Sequence, residues 1–500
     1  MKTDYKALQN GSDIRGVAIS GVNGEPVNLD ETVAEQLGKA FFYWCRGKHP
    51  GDITIAVGKD SRMSGSELKQ AFSKGVQCMG GNVIDCGIAS TPAMFMATKS
   101  EKVKATAGVM LTASHLPYNR NGLKFFTDEG GLDKKDISEI LDLAAGTRFD
   151  HSGKRGTIRI MDFISVYSKG LVKYIRNSVN HPDHFKKPLR GLKIIVDAGN
   201  GAGGFFAEKI LHKLGADITG SQFLDPDGMF PNHIPNPEDK AAMDAICSAV
   251  TQEKADLGII FDTDVDRAAI VDSQGNPINR NALIALISAI VLEEHPESAV
   301  VTDSITSTGL NTFIEDQLKG KHHRFKRGYK NVINEAIRLN KEGVESWIAI
   351  ETSGHAALKE NYFLDDGAFL VAKILVKVAQ MHMKGETISD LIEPLQHPLE
   401  SEEVRFSIKE KDFAKYGQEV IERLTEIVKS EEGWEAEKEN YEGIRVNCKG
   451  ENEKGWFLLR LSLHDPVMPL NVESDIQGGV NTIMNRLKVI LKEFRGLDAK

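Results

Sequence analysis

The 500-residue sequence predicts an α/β protein of several domains that ends in a smaller α+β domain. Three observations predict it. A chain this long exceeds what one hydrophobic core supports, so three or four domains are expected. Between residues 53 and about 383, short apolar runs alternate with segments of helical spacing, the pattern of βαβ units. From roughly Pro398 the alternation stops. Strands at 404–408 and 456–463 there flank a helix at about 413–429, in a stretch rich in Glu and Lys.

In chain order, Ser12-Asp13-Ile14-Arg15-Gly16 is a Gly-flanked segment with too little pattern to read alone. A helix is predicted from about Asp30, with Val33, Leu37, Ala40 and Phe41 at helical spacing. A strand at 53–57 runs into a turn at 58–65, whose glycine and serine amides can hold an anion at the start of a helix near Glu67. A strand at 82–85, a helix after Thr91-Pro92 and a strand at 109–111 follow. That last strand stops at Thr112 and gives way to Ser114, His115, a Pro-Tyr-Asn turn and Asn121-Gly122. A hydroxyl is thereby presented at a strand end, and His115, Arg120 and Lys124 can hold a dianion near it by charge-assisted hydrogen bonds. Residues 128–151 are polar with a short helix at Ile140-Leu141, and a domain boundary is expected at 153–162.

The pattern then restarts with a strand at 192–196, a glycine-rich turn at 197–204 and a helix at 207–214. The turn lacks the Gly-x-Gly-x-x-Gly spacing of a dinucleotide site and reads as close helix–strand packing. A strand at 257–261 ends in Asp262-Thr263-Asp264-Val265-Asp266-Arg267, and another strand follows at 268–271. In extended backbone, residues two apart project to one side, so the three carboxylates can converge. They repel unless a cation sits among them, and oxygen-only ligands beside phosphate chemistry favour Mg²⁺.

A third run has a helix from near Asn281 through Leu292, a strand at 299–302 and a Ser/Thr loop at 303–307. The basic stretch 319–330 reads as a largely solvated surface loop before another helix. A strand at 347–350 leads to Glu351-Thr352-Ser353-Gly354-His355, where a carboxylate and a serine hydroxyl can bind vicinal hydroxyls. Asp365-Asp366-Gly367 opens a helix reaching about Met383.

Composition narrows the function classes. With 41% apolar and 27% charged residues the chain has the make-up of a soluble globular protein, and its formal charge of −9 argues against non-specific nucleic-acid binding. Five scattered cysteines without Cys-x-x-Cys spacing predict neither a disulfide framework nor a zinc site. A cytoplasmic location is expected, with no membrane partner, because the N-terminus lacks an apolar leader and the longest apolar run, 283–292, is too short to span a bilayer.

Thr112-Ala113-Ser114-His115-x-Pro117, followed by Asn121-Gly122-x-Lys124, resembles the phosphoserine loop of the α-D-phosphohexomutases, which include phosphoglucomutases and phosphomannomutases. The aspartate loop, the Glu351–His355 loop and the Arg460/Ser462 loop match the same family in order, over almost the whole chain. The resemblance implies three related mixed-sheet α/β domains plus a smaller C-terminal α+β domain around a central cleft. They would comprise a phosphoserine domain at 1–160, a metal-binding domain at 161–278, a sugar-binding domain at 279–395 and a substrate phosphate-binding domain at 396–500.

It further implies that Ser114 carries the phosphoryl group and shares one Mg²⁺ with Asp262, Asp264 and Asp266. Arg15 is placed near the reacting groups, with His115 and Lys124 as further candidates for proton handling and phosphoryl stabilisation. Arg267, Lys330, Glu351, Ser353, His355, Arg460, Ser462 and His464 would contact substrate. The implied reaction interconverts the 1-phosphate and 6-phosphate of glucose or mannose through a hexose 1,6-bisphosphate, with hexose phosphates as the partners. A phosphoglucosamine mutase, an aspartate-dependent phosphatase and a non-catalytic sugar-phosphate sensor are the alternatives.

The sequence departs from the family pattern in three places. Thr263 and Val265 stand where glycines are common, and Leu116 stands where asparagine is usual. In Arg460-Leu461-Ser462-Leu463-His464-Asp465-Pro466, Leu463 and His464 replace a glycine or asparagine and a threonine, at the expected contact with substrate phosphate.

Overall fold

The structure, a computed structural model, describes residues 4–149, 153–462 and 465–499. The chain forms two compact units, one of Met1–Asn279 with Ser353–Ile388 and one of Arg280–Thr352 with Ser389–Lys500.

The first unit opens on a mixed sheet. Thr54–Lys59 lies parallel to both Asn82–Ile88 and Ala107–Leu111, as βαβ connections require. Arg120–Thr127 then turns back antiparallel to Ala107–Leu111, and Asp13–Val17 adds to its far side. The register sets Lys124 opposite Met110 and Arg15 opposite Gly122. Helices Glu31–Lys48 and Gly65–Cys78 pack against each other. They approach so closely that a Cβ on Gly38 would lie 2.2 Å from the Phe72 carbonyl oxygen, so glycine is obligatory there. Phe41, Phe72 and Phe125 interlock beneath them with ring centroids 4.6–6.3 Å apart. Full burial of each such side chain is worth roughly 1.5–3 kcal/mol.

A second sheet in this unit has Leu257–Phe261 parallel to Ile194–Asp197 and antiparallel to Ala268–Asp272, with helix Lys240–Glu253 packed on it. The helix expected at 207–214 is π-helical over Ala207–Leu211 and α-helical only at His212–Leu214. Residues 353–388 return to this sheet. Arg267 and His355 form an isolated antiparallel bridge, and the Gly367 amide donates to the Val265 carbonyl at 3.1 Å. Helix Gly367–His382 is capped by Asp366 and packs on helix Phe163–Val179, whose Tyr167 hydroxyl reaches both Asp366 carboxylate oxygens at 2.6 and 2.8 Å.

In the second unit, Ala299–Thr302 is flanked in parallel by Lys321–Arg324 and Ser346–Ile350. The first flanking strand corrects the expectation of a solvated loop at 319–330. His322 and Arg324 are half-buried, and Arg324 donates to Thr306 Oγ1 at 3.0 Å and to the Ser307 carbonyl at 3.2 Å. The C-terminal part is an antiparallel sheet running Trp434–Ala436, Ile444–Cys448, Gly455–Leu459, Val467–Ser474, Glu400–Ile408 and Leu497–Ala499. Helices Phe413–Val428 and Gly479–Leu491 supply residues to one core with it, the α+β arrangement the sequence predicts. Among the described residues no helix is long and apolar enough to cross a membrane.

Candidate active site

The buried strand Ala107–Leu111 delivers the chain to Ser114, whose backbone sits at φ +51°, a left-handed conformation that non-glycine residues rarely adopt. Its amide donates to Thr112 Oγ1 at 2.9 Å. The loop is held from behind by Arg62, which is 0% exposed. One guanidinium nitrogen donates to the carbonyls of Pro117 (2.7 Å) and Arg120 (2.9 Å), the other to those of Ser114 and Leu116. Asp60 balances the charge, with Oδ2 at 3.3 Å from Nε. The 58–65 turn thereby buttresses the serine loop. Arg120 pairs with Glu25 at 2.8 Å.

Replacing Arg62 by alanine would remove the hydrogen bonds to four loop carbonyls and leave the fully buried Asp60 carboxylate without its counter-charge. The expected loss is about 3–5 kcal/mol, read as a fall in the denaturation midpoint. Lysine should recover little of it, since one ammonium cannot reproduce the planar fork.

The acids follow strand Leu257–Phe261, but the backbone after it turns instead of staying extended. Val265 has φ +68°, unusual for a β-branched residue, and its amide donates to Asp262 Oδ1 at 2.9 Å. The carboxylates thus converge through a tight turn and not through strand alternation. The glycine-rich turn at 197–204 packs directly against this turn. A Cβ on Gly201 would lie 2.8 Å from Thr263 Cα, and the Ala202 amide donates to the Thr263 carbonyl at 2.8 Å.

Asp262, Asp264 and Asp266 are buried, with one carboxylate oxygen of each within 4.8 Å of the others. Lys124 Nζ lies 3.0 Å from Asp264 Oδ2 and also contacts Asp266 Oδ2. Thr91, at the start of helix Thr91–Lys99, gives its hydroxyl to Asp264 and its amide to the Asp264 carbonyl at 2.8 Å. Asp264 Oδ1 and Asp266 Oδ1 are buried with no hydrogen-bond partner among the described residues. Two orphaned carboxylate oxygens in an all-oxygen cluster fit a hard divalent cation.

Ser114 Oγ donates to Asp262 Oδ2 at 3.1 Å. Arg267 spans the same groups. Its Nε is 3.2 Å from Asp262 Oδ2, and one terminal nitrogen donates to Ser114 Oγ at 3.3 Å and to His115 Nδ1 at 2.8 Å. Desolvation of the ring, then the charges of Arg267 and Arg15, lower the pKa of His115 below its ordinary value. With Nδ1 accepting from Arg267, the neutral ring carries its proton on Nε2.

Burial raises Asp262 well above the carboxylate range, and the charges of Asp266 and Asp264 add to the effect. Burial would also raise Asp266, but Lys124, His355 and Arg267 hold it below its ordinary value. Burial opposes protonation of His355, yet Asp365 and Asp266 outweigh it and lift its pKa to about 9. Its Nδ1 lies 2.6 Å from Asp365 Oδ2 and 3.9 Å from Asp266 Oδ1. Arg15 pairs with Asp13 at 3.0 Å, and Ser353 is buried.

The remaining predicted residues belong to the second unit. Glu351 accepts from the Gly328 amide at 2.5 Å, at the start of the helix Tyr329–Lys341 that carries Lys330. Thr352, next to Glu351, is anchored on Asp303 through its amide (3.2 Å) and hydroxyl (2.7 Å). Arg460 is buried, with Nη1 3.9 Å from Glu442 Oε1, and the Ser462 amide donates to the Val467 carbonyl at 3.0 Å. His464 lies outside the described residues. Sequence reasoning missed Glu442, which also accepts from the Ser304 hydroxyl (2.5 Å) and the Arg327 amide (3.2 Å). It sits in a polar segment without periodicity, and no local signal marks it.

Comparison with known proteins agrees with this geometry. Residues 6–151, 171–275 and 279–398 match the families described as phosphoglucomutase/phosphomannomutase, alpha/beta/alpha domains I, II and III. The chain is 30% identical over 475 residues to a phosphoglucomutase of Neisseria gonorrhoeae, covering 95% of each sequence. It is 28% identical to a phosphomannomutase/phosphoglucomutase of Pseudomonas aeruginosa, covering 98% of each. The crystal structure of a phosphoglucomutase/phosphomannomutase family protein from Burkholderia thailandensis superposes with a TM-score of 0.79 at 26% identity over 99% of both chains. With three matched domain families along most of its length and a relative 30% identical over 95% of it, the chain belongs to the phosphoglucomutase/phosphomannomutase family.

Proposed function

We propose that the protein is an isomerase that interconverts the 1-phosphate and 6-phosphate of glucose, mannose or both, with Ser114 alternately giving up and taking back a phosphoryl group. The observation that carries this reading is the position of the Ser114 hydroxyl, 3.1 Å from Asp262 and 3.3 Å from Arg267, beside buried acids with two oxygens unsatisfied.

A divalent cation, Mg²⁺ for a hard all-oxygen set, would be held by Asp262, Asp264, Asp266 and an oxygen on Ser114, and when bound it supplies charge that polarises the phosphoryl group. In the forward direction the bond between Ser114 Oγ and phosphorus breaks and one to a hexose hydroxyl oxygen forms, the hydroxyl's proton ending on the freed Ser114 Oγ, giving a hexose 1,6-bisphosphate. The reverse transfer, from the other position of the sugar, restores the phosphoserine. Such transfers depend on in-line positioning and charge neutralisation more than on covalent help.

The residues have distinct roles in this scheme. Arg267 and Arg15 stabilise phosphoryl charge, and Lys124 balances Asp264 and Asp266. His115, neutral with its proton on Nε2, donates a hydrogen bond and is not poised as a base. His355, protonated between Asp365 and Asp266, orients the acid cluster. Glu351 and Ser353 would hold sugar hydroxyls, while Lys330, Arg460, Ser462 and His464 would hold the phosphate that is not being transferred. In this division of labour, residues 1–160 carry the phosphoserine, 161–278 the metal, 279–395 the sugar site and 396–500 the phosphate site.

The test is a coupled assay with glucose 1-phosphate, mannose 1-phosphate and glucosamine 1-phosphate, each with Mg²⁺ and a trace of hexose 1,6-bisphosphate. Turnover of the first or second supports the proposal, and turnover of the third alone identifies a phosphoglucosamine mutase. Failure of all three would leave a sugar-phosphate sensor.

A further inference from the structure

Away from the acid cluster, the first unit holds a cavity of about 480 Å³ between helix Phe163–Val179 and the π-helical segment Ala207–Leu211 with its continuation His212–Leu214. Its volume is within the range of small-molecule sites. Ser165, Ser168, Lys169, Val172, Lys173 and Arg176 line it from one side, and their spacing makes them a single stripe of that helix. The opposite stripe, with Ile164, Tyr167, Leu171 and Ile175, is buried. From the facing segment, Lys209 and Lys213 complete the lining, and Phe185 stands at 45% exposure beside them.

Three features make this more than a polar groove. Its charge is one-sided, for residues 165–215 carry nine lysines and arginines against three acids in a protein whose net charge is −9. Few of these cations are neutralised. Lys209 reaches Ser165 Oγ at 2.8 Å and Asp162 at 3.5 Å. Arg176 is held on the carbonyls of Lys186 and Lys213, which fixes its position but leaves its charge uncompensated. Among the described residues, Lys169, Lys173 and Lys213 form no side-chain ion pair. Finally, Ser168 lines the cavity, is 2% exposed, and its hydroxyl has no hydrogen-bond partner among the described residues. Burying a hydroxyl without a partner is unfavourable, so its retention requires an explanation. The π-helical turn supplying Lys209 is of a kind that occurs often at functional sites.

We infer that this cavity is a second ligand site, separate from the phosphoserine centre, that takes a nucleoside polyphosphate. The lysines and Arg176 would meet the phosphates, the Ser168 hydroxyl would donate to one of them, and Phe185 with Val172 would offer an apolar wall to the base. The inference does not depend on the reaction catalysed at Ser114.

The test is calorimetric titration of the full chain with ATP and, separately, with inorganic tripolyphosphate, on wild type, on the double variant Lys169→Gln/Lys173→Gln and on Ser168→Ala. One-to-one binding of ATP is expected in the wild type, tighter than tripolyphosphate and weakening as salt is raised. The double variant should bind ATP at least tenfold more weakly with its thermal midpoint and mutase turnover unchanged, and Ser168→Ala should weaken it severalfold. Absence of ATP binding in the wild type, or equal binding in the double variant, would overturn the site. Tripolyphosphate binding as tight as ATP would overturn the apolar wall and with it the nucleoside.

Discussion

Ser114→Ala is expected to lower turnover between hexose 1-phosphate and 6-phosphate by at least about a thousandfold, because the variant has no oxygen to carry the phosphoryl group between the two positions of the sugar. Binding of hexose phosphate should change only a few-fold, since in the proposed scheme the sugar and its phosphate are held by other residues. Stability should also change little. The left-handed backbone at position 114 is as unfavourable for alanine as for serine, and Arg62 still holds the Ser114 carbonyl. Turnover and binding measured on the same preparation separate these effects. An alanine variant that keeps wild-type turnover would move the chemistry to an aspartate, as in a phosphatase.

The second large effect concerns the acid cluster. Chelating divalent cations is expected to lower turnover at least about a hundredfold, and adding Mg²⁺ back should restore it. A direct binding measurement accompanies this. Calorimetric titration with Mg²⁺ should show one site in the wild type and none in Asp264→Asn, whose side chain loses a charge and replaces a carboxylate oxygen with an amide. The physical basis is the crowding of Asp262, Asp264 and Asp266, with oxygens within 4.8 Å, which Lys124, Arg267 and His355 partly offset. Removing the cation should also lower thermal stability, because binding to the native state alone is linked to folding.

Much of this site could be read in the sequence. Ser114 follows an apolar strand and is ringed by turn residues, and the aspartates lie between two apolar strands, so both show locally where the chain must bend and what it must present. The alternation of strands and helices likewise appears as hydrophobic period. What escaped reading depends on contacts far apart in the chain. Arg62 looks like any charged turn residue until the Ser114 loop folds onto it. Val265 breaks the preference of a β-branched residue for extended backbone because the hydrogen bonds of the turn and the packing around it over-determine the conformation. The strand Lys321–Arg324 is hidden because its Lys-His-His-Arg sequence carries no apolar alternation, its place being set by pairing with Ala299–Thr302. Glu442 gains its role only when the Ser304 and Arg327 backbone segments meet it.

The account stands on Ser114 as a reversible phosphoryl carrier. The most direct measurement is intact-protein and peptide mass spectrometry after exposure to glucose 1,6-bisphosphate and Mg²⁺, followed by addition of excess glucose 6-phosphate. One phosphate is predicted on Ser114, and it should transfer to the added sugar. A chain that remains unmodified under these conditions, or that carries the phosphate on an aspartate, would contradict the account.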